Sequence, residues 1–300
     1  MPATFGVHIG PQNIGMNDLR ALWRKLDQRG VEWISLWDHF YETTPPADGK
    51  MESFGSLDHF ETLAALGALA ADTKKARLGV LVLYVGYRMP GVLAKAATTL
   101  DHLSGGRFEI GLGGGWHEWE SRAYGYPFPP IGTRLDMLDE ATQIIRGLLT
   151  QDRTTFHGKH FSVENASCLP RPVQKKLPIW IGGLGEKKTL RLAARNGDGW
   201  NAAYVSPQQF KHLCTTLDQW CEKEGRDPAS IERSVNVVFN VAPDKASEPR
   251  LRRELEQQWG FALARVEGGV LAGTPDTAAE RVAEYVAAGA DGVNVALRAP

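Results

Sequence analysis

An acid and a base stand side by side at Asp38-His39, just after the apolar run Trp33–Trp37. An imidazole next to a carboxylate can take or give a proton near neutral pH. The same pair also suits a structural histidine whose neighbour caps a turn. Two glycine loops follow. In Gly111-Leu112-Gly113-Gly114-Gly115-Trp116 the glycines let backbone approach a ligand and offer N–H groups to an anion, or simply make a flexible loop. Trp116 stands where a dinucleotide fingerprint needs glycine, which excludes that reading. Ile181-Gly182-Gly183-Leu184-Gly185 runs into the helical pattern Glu186–Arg195. A loop entering a helix N-terminus is a phosphate site in waiting, or a tight turn. Leu81–Val85, followed by Gly86-Tyr87-Arg88, reads only as buried strand, and Arg88 as a solvated side chain unless a cofactor of the kind discussed below brings an acidic tail to it. His157, His160 and Glu164 lack metal-site spacing, so no metal is expected and they read as a surface hairpin.

The elements that must carry these residues alternate. Short β-branched runs fall at 4–9, 33–37, 77–84, 108–112, 179–182, 199–202, 235–241 and 292–297. Helical patterns fall between them at 18–29, 59–72, 91–103, 134–150, 186–195, 207–224 and 276–288, with an extra one near 249–266. Pro90 and Gly105 bracket one helix, with Val92, Leu93, Ala96, Ala97, Leu100 and Leu103 as its expected buried stripe. Thr274-Pro275-Asp276 supplies a cap, a first position and an acidic first turn, and Gly289 closes that helix. Eight strands with intervening helices in 300 residues predict an α/β fold of the (β/α)8 TIM barrel type, one domain over residues 1–300. An open doubly wound sheet would want a glycine fingerprint at its first turn, and Gly10-Pro11-Gln12 is not one. Two stretches exceed the minimal unit: 117–132, rich in aromatics and proline, and 154–178, a hairpin with a Pro-rich connector. Insertions after barrel strands build pockets; the aromatics of the first, with Trp37 and Trp200, either wall an apolar substrate space or belong to barrel core or an interface.

Composition narrows the partners. With 34 Lys and Arg against 35 Asp and Glu, the formal net charge is −1, without the basic surplus of a nucleic-acid binder. No apolar run approaches the 20 or so residues of a membrane span, and the first residues do not form a signal peptide. Cys168, Cys214 and Cys221 cannot all pair, and Cys214 and Cys221 lie seven apart in one helical pattern, which suits reduced thiols in the cytoplasm.

Taken in order, these places resemble the bacterial luciferase-like flavin and deazaflavin oxidoreductase family. Ser35-Leu36-Trp37-Asp38-His39-Phe40 is similar to the Asp-His motif of its members that use coenzyme F420. Leu100-Asp101-His102-Leu103-Ser104-Gly105-Gly106-Arg107 leads into the glycine loop, and Gly113–Trp116 through Tyr124-Gly125-Tyr126-Pro127-Phe128 forms the next signature. Pro178–Gly183 and Ala193–Asn201 complete the match, which runs from about residue 4 to the C-terminus.

The resemblance implies a (β/α)8 barrel and a hydride transfer between coenzyme F420 and a small organic substrate. It implies Asp38 and His39 beside the reactive ring, His39 as the proton carrier, and a non-proline cis peptide at Leu81–Val82 behind the ring. It implies Gly182 and Gly183 at the coenzyme phosphate, with Gly113, Gly114, Gly115 and Trp116 also lining the coenzyme, and a homodimer. An FMN-dependent monooxygenase and a non-catalytic flavin-binding protein are the alternatives. Two departures separate this sequence from the family's sugar-phosphate dehydrogenases. Trp116 replaces their glutamate after the glycine loop, and Thr43 their tryptophan after the Asp-His pair, which points to another substrate. The family's helix after the last strand is expected to be shortened or supplied by a partner, since Pro300 follows that strand closely.

Overall fold

A computed structural model describes residues 3–43, 50, 53–55 and 57–298; Pro300 lies outside them. Strands β1 (Thr4–Ile9), β2 (Trp33–Leu36), β3 (Arg77–Val80), β5 (Phe108–Gly113), β8 (Ile179–Gly182), β9 (Gly199–Ala203), β10 (Glu232–Val241) and β12 (Gly292–Leu297) pair in that order, all parallel. β12 returns to β1 with Gly6 opposite Asn294, so the eight strands close into the expected barrel. Parallel closure leaves no exposed edge and requires a crossover after every strand.

The crossovers include α1 (Met16–Gln28), α2 (Thr62–Asp72), α3 (Pro90–Ser104), α5 (Ile131–Thr150), α6 (Thr189–Asn196), α7 (Pro207–Lys223) and α10 (Pro275–Ala287). Their ends follow from local chemistry. Ser206 and Gln209 form a reciprocal capping box at α7. Pro90 opens α3, and Gly105 closes it at φ +69°, a left-handed turn that a side chain would disfavour. Thr274 stands at the N-cap of α10 without a side-chain cap hydrogen bond, and Pro275 and Asp276 open the helix as expected.

Several expectations need correction. The single strand at 77–84 is two pieces, β3 and β4 (Leu83–Tyr84), separated by a cis peptide at Leu81–Val82, the bond the resemblance implied. The buried face of α3 is Leu93, Ala94, Ala97, Thr98, Leu100 and Asp101; Val92 and Leu103 instead stand 56% and 51% exposed. The helical pattern at 249–266 breaks at Gly260 (φ +48°) into α8 (Glu248–Trp259) and the short α9 (Leu263–Val266). The 117–132 stretch contains a helix, α4 (Glu118–Ala123), that periodicity missed. β11 (Val270–Gly273), also missed, extends the pairing of β10 beyond the barrel rim. The expected hairpin is present as β6 (Thr154–His157) and β7 (Ser162–Ala166).

The barrel interior is solid. At its floor Arg77 reaches Glu109 at 2.6 and 2.9 Å and Glu232 at 3.0 and 3.1 Å. Glu109 also accepts the Trp180 indole N–H at 2.7 Å. Trp180 packs on Trp33 with ring centres 4.8 Å apart, and the Arg77 guanidinium lies over Trp33. Beside this plug Asn201 donates to Ser234 and to Asn236, which also accepts from Asn294. These pairings tie neighbouring strands in one register, although the Trp33 indole N–H and the Asn294 Oδ1 are buried with no hydrogen-bond partner among the described residues. Chemistry is therefore confined to the mouth at the C-terminal ends of the strands, as in other barrels of this type.

Candidate active site

Asp38 and His39 emerge together from the end of β2, yet they face different partners. The Asp38 carboxylate is buried and clasped by the Arg88 guanidinium at 2.8 and 3.0 Å, with the Tyr84 N–H at 3.2 Å. Burial pushes the carboxyl above its ordinary value, and the two-pronged pair with Arg88 opposes that shift. Arg88 also reaches Glu61 at 2.5 Å, so it is a fixed strut and not a solvated side chain awaiting a ligand tail. The pairing of Asp38 with His39 that adjacency suggested does not form.

The carboxylate that holds His39 is Glu120, from α4. Its Oε1 lies 2.7 Å from His39 Nδ1 and accepts the Tyr87 hydroxyl at 2.7 Å. Its Oε2 accepts the backbone N–H groups of Phe40 at 2.9 Å and Tyr41 at 3.1 Å. Burial alone would raise Glu120, but His39, Tyr87 and the backbone donors outweigh it and hold the carboxyl at about 2. An ionised carboxylate only accepts, so the proton on the shared edge belongs to Nδ1. Nε2 then stays outside this pair, a lone pair when the ring is neutral and a donor when it is charged. Burial and the Glu120 charge together push the Tyr87 hydroxyl far up, so it stays a donor.

His117 caps α4 by accepting the Glu120 N–H at 3.3 Å, which fixes the helix that presents Glu120. Burial pushes this imidazole down to about 4, so it is neutral at pH 7. Trp116 lies edge-on to His39 at 5.2 Å and is 60% exposed, at the lip of the mouth. The aromatics of the first insertion divide. Tyr124 and Tyr126 pack against Phe40 and Tyr87, and Phe128 against Tyr84, bracing the loop that carries His39. Trp200 belongs to the core and does not wall the mouth: it is fully buried, stacked on Phe210 of α7 in the outer layer.

Past the end of β3, the strand next to β2, the Leu81–Val82 segment explains the glycines. A Cβ on Gly113 would fall 2.3 Å from a Val82 methyl, and one on Gly182 would fall 2.7 Å from the other. On Gly111 it would strike the Val80 carbonyl at 2.0 Å. Val82 thus sits in a socket made of missing side chains, with part of its surface open to the mouth. Gly114 lies against Leu135, and Gly115 (φ +68°) against the Tyr84 ring. Gly183 adopts φ +128° and donates its N–H to the Asn201 carbonyl. Gly113→Ala should destabilise the protein by roughly 1–3 kcal/mol through overpacking. Adding Val82→Ala should restore most of the loss in a thermal melt; an unrescued double variant would remove the socket as the cause.

A family model for luciferase-like monooxygenases matches residues 1–261. An uncharacterized protein of Mycobacterium tuberculosis is 32% identical over 222 residues, covering 74% of this chain and 72% of that protein. An F420-dependent glucose-6-phosphate dehydrogenase of Microbacterium testaceum is 30% identical over 247 residues, covering 81% and 70%. Among solved structures, an F420-dependent secondary alcohol dehydrogenase bound to an F420-acetone adduct superposes with a TM-score of 0.81. Its sequence identity is 19%, over 99% of this chain and 93% of that one, a likeness of fold. No helix among the described residues is long and apolar enough to cross a membrane. With a carboxylate-held imidazole and a glycine-flanked valine at the ends of neighbouring barrel strands, and with that match over most of its length, the chain belongs to the luciferase-like monooxygenase family of oxidoreductases.

Proposed function

We propose that this protein transfers a hydride between coenzyme F420 and a small organic substrate, with His39 as the proton donor or acceptor. The observation that carries this reading is the His39–Glu120 pair, which turns one imidazole nitrogen inward and leaves the other for a reacting group. The mouth suits a flat tricyclic ring. Val82 offers a raised apolar face, and the backbone of Gly113 and Gly182 beside it is stripped of side chains. Leu81 and Val82 would back the ring. Gly113, Gly114, Gly115 and Trp116 would flank it, and Gly182 and Gly183, ahead of α6, would meet its phosphate, where a helix N-terminus favours an anion. Asp38 would stand at the ring edge as part of the Arg88 strut. When bound, the coenzyme supplies or accepts the hydride; the chain orients it, shields one face and moves the proton.

Trp116 and Thr43 in place of the acid and indole of the sugar-phosphate dehydrogenases support a different substrate. Thr43 is tied through its N–H to Gln12 at 3.0 Å, so this edge of the mouth is built differently. A homodimer is the assembly that goes with this reading. The exposed Met89 ahead of α3 and Val92 and Leu103 on it, with Leu169 and Val173 nearby in the fold, support it, and sedimentation measures it. Three buried, unbridged cysteines support a cytoplasmic location.

Titration with F420 and, separately, FMN, followed by ring fluorescence, tests the coenzyme. Preferential binding of F420 is expected. Preference for FMN would move the assignment to an oxygen-dependent monooxygenase, which the same platform would accept. Binding of neither would remove the reading altogether.

A further inference from the structure

Near the mouth, strand β1 gives the barrel interior one side chain, and the His39–Glu120 pair does not use it. Side chains alternate along a strand, so Gly6, His8 and Gly10 share a face. A Cβ on Gly6 would fall 2.0 Å from Asn294 Oδ1, in the buried layer where Asn294 donates to Asn236, which makes that face the inner one. Higher up, the Trp37 indole lies across Gly10, where a Cβ would fall 1.7 Å from the ring. His8 stands between them, one layer above Asn294 and one below the lip. The register sets Ser35 of β2 and Ala296 of β12 beside it, both too short to reach past the imidazole.

The ring is oriented by its partners. Nδ1 lies 2.9 Å from the Ser35 hydroxyl, and the Trp37 ring stands edge-on at 5.2 Å. Nδ1 is the nitrogen next to the ring's point of attachment, so Nε2 is the distal one and projects away from β1 toward the interior. His8 is 3% exposed, and Nε2 has no hydrogen-bond partner among the described residues. The Trp33 and Trp37 indole nitrogens are unpaired and enclosed, whereas His8 Nε2 is not sealed off in this way. A buried polar atom left unpaired beside open space calls for a partner that the chain does not supply.

What His8 offers is a neutral N–H. Burial, with the positive neighbours Arg298 and His39, pushes the imidazole down to about 3, against a smaller upward pull from the Ser35 backbone, so the ring is uncharged at pH 7. Ser35 is buried, and Nδ1 is the one partner of its hydroxyl among the described residues. A proton on Nδ1 would strand the hydroxyl hydrogen, the costlier arrangement. The hydroxyl therefore donates to Nδ1, and the ring proton sits on Nε2. An N–H that only donates is matched by an oxygen that only accepts, as a carbonyl oxygen does.

We propose that His8 is a specificity-determining residue whose Nε2 donates a hydrogen bond to a carbonyl oxygen of the substrate at the floor of the mouth. The proposal rests on the barrel mouth being the reaction site, and its first readout needs no coenzyme, so it fails separately from the coenzyme assignment. Proton–nitrogen NMR spectra of protein with isotope-labelled histidine, assigned with His8→Gln, read the tautomer directly. At pH 7 His8 should be neutral with its proton on Nε2. Acetophenone should shift the His8 Nε2 resonance, both in the free protein and after addition of oxidised F420. Its near-isostere α-methylstyrene, with a methylene in place of the oxygen, should not. Acetophenone should also bind more tightly, by up to about tenfold, the scale of one hydrogen bond. His8→Leu should abolish that difference, and His8→Gln, which keeps an N–H donor, should retain part of it, showing that the site still folds. A ring that is charged or carries its proton on Nδ1, a resonance that acetophenone leaves in place or that both probes move alike, or a preference that survives in His8→Leu would overturn the proposal. Loss of F420 affinity in both variants would overturn it too, by assigning His8 to the coenzyme.

Discussion

Replacing His39 by alanine should lower turnover by about 10²–10⁴-fold while leaving F420 affinity within a few-fold, the range expected when a positioned general acid or base is removed. The argument is geometric. Nδ1 is spoken for by Glu120 at 2.7 Å, so Nε2 is the nitrogen available to a reacting group. Alanine removes that nitrogen without disturbing Val82 or the glycines that would seat the coenzyme. Glu120→Gln probes the same relay one step back. It keeps size and shape but no longer enforces the Nδ1 proton, because an amide can present either an oxygen or an NH₂. Turnover should fall by less than in the alanine variant, because the imidazole survives in mixed orientation and tautomer. Steady-state rates with coenzyme titrations in parallel separate the two effects. A His39→Ala enzyme that turns over as fast as the parent would eliminate the relay and favour a protein that merely holds a flavin.

Acid should unfold this protein early. Burial pushes His8 down to about 3 and His59 and His117 to about 4, from an ordinary 6.5. Between pH 6.5 and 4 the unfolded chain binds protons that the folded one refuses, so stability rises with pH across that window and is lost as pH falls through it. Each such histidine contributes up to about 1.4 kcal/mol per pH unit, and the three together about 4 kcal/mol per unit at most. Set against a total stability of roughly 5–15 kcal/mol, that slope places unfolding near pH 5 to 4. Glu120, held at about 2, adds a term of the same sign from pH 4.5 downward. Urea midpoints at pH 7, 6 and 5 measure the slope directly. His8→Gln, which keeps a polar partner for Ser35, should flatten it by one proton. A midpoint that is level from pH 7 to 5 would mean these rings are protonated in the fold after all.

The barrel was legible because its signals are local. Short β-branched runs, Pro90 and Gly105 around α3, and Thr274 ahead of α10 each act within a few residues, and each sits where expected. The His39–Glu120 pair was half legible. His39 stood out beside an acid, but the acid that matters lies 81 positions away, in a six-residue helix too short to show a period. Nothing in Glu118-Trp119-Glu120 distinguishes the carboxylate that turns inward from the one at the surface. Asp38 was legible as a residue but not in its role, since its guanidinium partner is 50 positions downstream. The exposed Val92 and Leu103 misled for a related reason: hydropathy records what a side chain avoids, and not which neighbour is present to cover it. The glycine loops were read as room for a ligand, whereas much of that room is taken by one valine, a contact between segments that no spacing rule encodes.

That valine also sets an order on how this site can change. A side chain at position 113 or 182 collides with Val82 as things stand, so neither glycine can be replaced first without loss. Once residue 82 has shrunk, both positions open together, and the mouth gains two places at which a new side chain could meet a ligand. Gly111 stays closed on either route, because its obstacle is the Val80 backbone carbonyl and not a side chain. Routes to an altered mouth are thus contingent on history: the permissive step comes at a residue that itself gains nothing, and a library that varies the glycines alone samples only dead ends.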